Sequence, residues 1–116
     1  MKESIIGKKS FDFALLIIEL YKELANEKEY VISKQILRSG TSIGANIQEA
    51  SAAFSKKDFL YKMAISSNEA RETRYWLQLL EKSNLTKIKV EQHLIQIQDI
   101  INILTKIVKT TKENLN

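Results

Sequence analysis

Val90-Glu91-Gln92-His93-Leu94-Ile95-Gln96-Ile97-Gln98-Asp99-Ile100-Ile101-Asn102-Ile103-Leu104-Thr105-Lys106-Ile107-Val108 is the stretch on which the fold turns. Val90, Leu94, Ile97, Ile101, Leu104 and Val108 recur at alternating steps of four and three. That period of about 3.5 residues winds one apolar seam along a helix. Isoleucine favours strands, but period-two alternation is not sustained anywhere in the chain, so the long register decides for helix. Ile88, Ile95, Ile100, Ile103 and Ile107 widen the apolar surface beyond the seam. Two explanations stand: a well-filled bundle core, or a face that also meets a neighbouring subunit.

Working outward, three more segments carry helical spacing. Near the N-terminus Phe13, Ile17, Leu20 and Leu24 form one seam, and Phe11, Ala14, Ile18, Tyr21 and Ala25 form a second. Two seams predict a helix covered on both flanks. Ser33 reads as the N-cap of a second helix that contains Gly40 and Gly44, each costing about 1 kcal/mol relative to alanine. Ser55-Lys56-Lys57-Asp58 resembles a capping box opening the third helix, and Thr86 reads as the cap of the fourth. The expected helices cover about 10–26, 33–53, 55–82 and 86–112 of a single domain, 1–116. Short connections between long helices make neighbours antiparallel, so the expected fold is an all-α, up-down-up-down four-helix bundle.

The 116 residues are enough to bury a core. Hydrophobic residues at 44% and charged residues at 28% fit a folded globular chain. No proline interrupts it, and the absence of cysteine excludes disulfides and thiolate metal sites. The segment Met1–Lys9 has no apolar run suited to a signal peptide. The longest apolar run, Phe13–Ile18, is about a third of a membrane span. A cytoplasmic location is the expectation. The net charge of +4 permits a polyanionic partner without requiring one.

Enzymatic chemistry finds few residues to work with, and no catalytic set or cofactor motif emerges. His93 is the one histidine. A di-iron bundle needs Glu-x-x-His pairs, and Val90 stands three residues before His93. Helical ribonucleases with an Arg-x4–6-His pattern would need arginine at 86, 87 or 88, where the chain has Thr86, Lys87 and Ile88. Gly40 and Gly44 lie mid-helix with no strand before them, unlike a phosphate-binding loop. A hydrolase centred on Glu49 and Glu69 is the remaining enzymatic alternative; unchanged activity in Glu49→Gln would remove it.

Two polar patterns have readings of their own. At about 100° per residue Arg38, Ser42, Asn46 and Glu49 fall on one stripe beside Ile36, Ile43, Ile47 and Ala50. Ser39, Gly40, Gly44 and Ala45 are small enough to let another helix approach. A polar stripe at the core boundary predicts a buried hydrogen-bonded network with Ser66, Ser67, Glu69 and Thr73, because an unpaired buried polar group costs about 1–3 kcal/mol. A ligand site is the alternative. On the third helix Lys56, Lys57, Arg71, Arg74 and Lys82 fall within about a 100° arc that could follow phosphates. The alternative is an ordinary solvated face, tempered by Glu69, Glu72 and Glu81.

Arg38-Ser39-Gly40-Thr41-Ser42-Ile43-Gly44-Ala45-Asn46-Ile47-Gln48-Glu49, with Phe59, Leu60, Ala64, Ser67, Asn68 and Glu69 downstream, resembles the bacterial four helix bundle proteins. These are also called intervening-sequence proteins, because some are encoded in insertions within 23S ribosomal RNA genes. The resemblance spans nearly the whole chain, with one departure: Ala50 stands where the family commonly has glycine. It implies a four-helix bundle assembled as a homopentameric ring. It also implies kinship with the accessory protein of diversity-generating retroelements, a basic bundle that associates with nucleic acid and a reverse transcriptase. No catalytic residues come with it. The expectation is therefore a non-enzymatic homo-oligomer that binds RNA or DNA through basic helix faces, the alternative being a structural oligomer or interaction scaffold.

Overall fold

Ser4 opens the first helix. Its Oγ accepts a hydrogen bond from the Gly7 N–H at 2.9 Å, satisfying one of the donors a helix start leaves unpaired. With that cap, α1 runs over Ile5–Asn26 and begins before the expected residue 10. The computed structural model describes residues 4–115, so the reading of Met1–Glu3 lies outside the described residues.

The second helix, α2, spans Ile32–Ser51, and its cap corrects the reading of Ser33. Ser33 lies inside the first turn, and its Oγ donates to the Glu29 carbonyl at 2.7 Å. The Glu29 carboxylate does the capping. It accepts from the N–H groups of Val31 (2.9 Å), Ile32 (3.1 Å) and Ser33 (2.7 Å). A carboxylate here also suits the positive end of the helix dipole.

The third helix, α3, runs over Lys56–Ser83 behind Ser55, whose Oγ accepts from the Asp58 N–H, the N-cap half of the expected capping box. It closes on Asn84 in the left-handed region at φ 57°, where asparagine is tolerated and releases the chain from the helix. The fourth, α4, covers Glu91–Glu113 and starts later than residue 86. Thr86 caps only a local turn: its Oγ1 accepts from Ile88 N–H and donates to Glu27 across the end of α1.

Each helix packs on the next, and α4 returns to α1; the diagonal pairs do not adjoin. Neighbours run antiparallel. Along α2 and α3, Arg38 meets Glu69 while Glu49 meets Lys62, so numbers rise on one helix as they fall on the other. Arg71 with Thr105 and Arg74 with Gln98 give the same sense to α3 and α4. The result is the expected up-down-up-down bundle, 49 × 24 × 20 Å.

The core follows the seams. Phe13, Ile17, Leu20 and Leu24 of α1 are fully buried, as are Ile97 and Leu104 of α4. Ile100 joins them, and Ile88, Ile103 and Ile107 are half-buried against the same core, so the bundle absorbs most of the surplus on α4. The second seam of α1 is different. Ala14, Ile18, Tyr21 and Ala25 are half-buried and Phe11 is 64% exposed, so this seam is only partly covered. Gly40 lets α1 approach closely: a Cβ there would lie 2.9 Å from Ile17 Cγ2, inside contact distance of a side chain with no free space.

Candidate functional site

The α2/α3 seam holds the polar residues the sequence singled out, in an arrangement of its own. Ser39, Ser66 and Thr73 are buried. Thr73 Oγ1 lies 2.8 Å from Ser39 Oγ and 2.8 Å from the Glu69 carbonyl oxygen. Ser66 Oγ donates to the Ile43 carbonyl at 2.9 Å, tying α3 to the backbone of α2. These small hydroxyls satisfy one another or a carbonyl.

The stripe of Arg38, Ser42, Asn46 and Glu49 runs along the outer edge of that seam, not within it. Arg38 grips Glu69 through two hydrogen bonds of 2.9 and 3.2 Å and reaches Glu72 at 2.6 Å. Trp76 Nε1 donates to the same Glu72 oxygen at 3.0 Å. The Trp76 hydrogen bond and the Arg38 charge hold the Glu72 carboxyl below the usual carboxylate range, while the two carboxylates hold Arg38 more firmly in its charged form. Ser42 Oγ donates to Arg38 O, and Asn46 Nδ2 to Ser42 O, so both serve their own helix. Glu49 receives Lys62 Nζ at 2.6 Å in an exposed pair. Ser67 is buried, and no hydrogen bond joins it to the stripe. Sequence reading missed Ser39 as a bonding partner, because a serine among small residues looks like a spacer. Glu72, one turn beyond Glu69, was legible but was counted only as a charge.

The basic residues of α3 divide into two groups. Lys56 and Lys57 are exposed at its N-terminus, and Arg71 lies about 20 Å further along at 1.5 Å per residue. Arg71 reaches Thr105 at 2.8 Å and Arg74 reaches Gln98 at 2.9 Å, both on α4. The groove holding Arg74 and Lys82 is also lined by Glu81, Glu91 and Asp99. Its charge is therefore mixed. Lys106, Lys109 and Lys112 lie in the last turns of α4, at the end of the bundle where α3 begins with Lys56 and Lys57, and Asp58 and Glu113 stand at the same end.

That end also contains an apolar cavity of about 540 Å³ reached by all four helices. Ile6, Ile47 and Met63 form its buried part, and exposed Lys106 is the one charged residue lining it among the described residues. At the opposite end His93 is buried on α4, and its Nδ1 has no hydrogen-bond partner among the described residues. Desolvation lowers its pKa, with Glu23 opposing. Among the described residues no group of three His, Asp or Glu side chains converges as metal ligands, and no helix is long and apolar enough to cross a membrane.

Antiparallel helices, a hydroxyl-lined α2/α3 seam and carboxylates each held by a cation define a small all-α bundle protein. The chain matches the model of the 23S rRNA-intervening sequence protein family over residues 2–109, and it belongs to that family. It is similar to a solved structure described as a protein with unknown function from the S23 ribosomal protein family of Bacteroides thetaiotaomicron VPI-5482. Identity is 48% and the TM-score 0.86, covering 90% of this chain and 99% of that one. The comparison with curated proteins finds no match.

Proposed function

We propose that the protein is a non-enzymatic homo-oligomer whose bundles stand side by side as a scaffold. The observation that carries this reading is the apolar surface left on one chain. Ile5, Phe11 and Leu15 of α1 are 72%, 64% and 51% exposed, and Phe54 in the α2–α3 connection is fully so. Single exposed hydrophobics are ordinary, but several on one helix, with an unshielded phenylalanine nearby, suit a contact with another copy. The family resemblance implies five copies. Against catalysis, Glu49 and Glu69 are neutralised by separate cations, Lys62 and Arg38. Light scattering behind size exclusion tests the assembly: the expected mass is a whole multiple of 13.4 kDa, reduced in Phe11→Asp. A monomer at micromolar concentration contradicts it.

A second reading adds a polyanion, and the lysine-rich end supports it better than the α3 groove does. RNA or DNA bound there would lose affinity as salt rises, because each neutralised phosphate releases counterions. A filter-binding titration across a salt series reads this directly. Absence of binding at the lowest salt removes the polyanion and leaves the scaffold.

A further inference from the structure

We propose that the cavity at the lysine-rich end binds a free aliphatic carboxylate of medium chain length, its tail between the helices and its head group at Lys106. At about 540 Å³ the cavity falls within the usual range of small-ligand sites, and the space between bundle helices is a common place for them.

Its lining is sorted by polarity. Ile6, Ile47 and Met63 are buried, and Phe59, Ile103 and Ile107 are half-buried. The polar residues around it, Ser4, Ser51, Lys106 and Thr110, are exposed, with Thr111 half-buried. An apolar interior under a hydroxyl-bearing rim orients an amphipathic molecule tail-first. No hydroxyl or amide lies within the apolar part, so a polar ligand would leave its own groups unpaired there.

Charge selects the head group. Among the described residues Lys106 is the single charged residue at the cavity, no acidic side chain lines it, and no carboxylate pairs with Lys106. Lys9, Lys22 and Lys62, by contrast, each have an acidic partner. Lys109 follows one turn later and is also exposed. An anion is favoured at this mouth and a cation is not.

Isothermal titration calorimetry of the full chain with dodecanoate tests the site, with dodecanol, dodecyltrimethylammonium and butyrate as comparison arms. Dodecanoate is expected to bind once per chain, more tightly than dodecanol, with no binding of the short or cationic molecules. Lys106→Met, which keeps the aliphatic stem, should weaken dodecanoate about tenfold. Ile103→Trp should abolish binding by filling the cavity, and helical circular dichroism checks that this variant folds. No saturable binding up to about 1 mM overturns the site, as it would if a second copy occupied the cavity. Dodecanol binding as tightly as dodecanoate, or no effect of Lys106→Met, overturns the carboxylate.

Discussion

The α2/α3 and α1/α4 seams lie on opposite sides of the bundle and are built differently. Along α2/α3, small residues bring the backbones together, hydroxyls bond across, and the Arg38–Glu69–Glu72 cluster and the Glu49–Lys62 pair line the edge. The α1/α4 contact is the least extensive of the four. It has the exposed Lys9–Asp99 pair at 2.8 Å, with the apolar cavity toward one end of the bundle and buried His93 toward the other. Both seams satisfy the same hydrophobic pattern. What separates them is side-chain size: serine and threonine allow close approach, whereas branched isoleucines hold helices apart.

The largest contrast should come from adding volume to each side. Ser66→Leu forces a branched side chain into a closed seam and is expected to cost about 3 kcal/mol. Thr110→Leu at the cavity should be tolerated within about 0.5 kcal/mol. Urea denaturation of the two variants compares them directly, and equal costs would erase the distinction.

Next in size is the buried hydroxyl pair. Thr73→Val leaves Ser39 without its cross-helix partner and should destabilise by about 1–2 kcal/mol. Adding Ser39→Ala should cost less than the sum of the single changes, since removing both partners leaves nothing unpaired. Strict additivity would show that the 2.8 Å contact does not couple the helices.

His93 sharpens the other seam. Burial favours its neutral form, so the unfolded chain takes up a proton first as pH falls. Stability is unaffected by this group above the ordinary histidine pKa of about 6.5. It declines below that value and levels off beneath the lowered native pKa. His93→Leu should remove this decline and add about 1 kcal/mol at neutral pH by deleting an unpaired buried nitrogen. Denaturation midpoints across acidic to neutral pH would record both, and an unchanged pH profile would refute the role.

The smallest effect belongs to the surface ions. Arg38→Met should cost under about 1 kcal/mol, and less at high salt, because the Arg38 side chain is half exposed.

The fold was legible wherever periodicity was long. The α4 register and the Phe13–Leu24 seam place their residues in the core. The caps were less so. Glu29 reaches the start of α2 only because Lys28, at φ 65°, turns the chain back. Helical winding put Arg38, Ser42, Asn46 and Glu49 on one face correctly, but which face meets α3 depends on a small rotation about the helix axis. That rotation buries Ser39 and leaves Arg38 at the edge. The mixed charge beside the basic arc was hidden for a related reason: Glu91 and Asp99 come from α4, and no winding of α3 alone can place them. The cavity depends on how four helix ends diverge, which single-helix patterns do not encode.

Native-state hydrogen exchange on the whole protein tests the unequal seams most directly. Amides in the middle of α2 and α3 should exchange only through global unfolding, and those in the first turns of α1 and the last turns of α4 through smaller, denaturant-insensitive openings. Uniform protection across all four helices, or faster exchange at Ser39–Ile43 and Ser66–Thr73 than in α1 and α4, would contradict it.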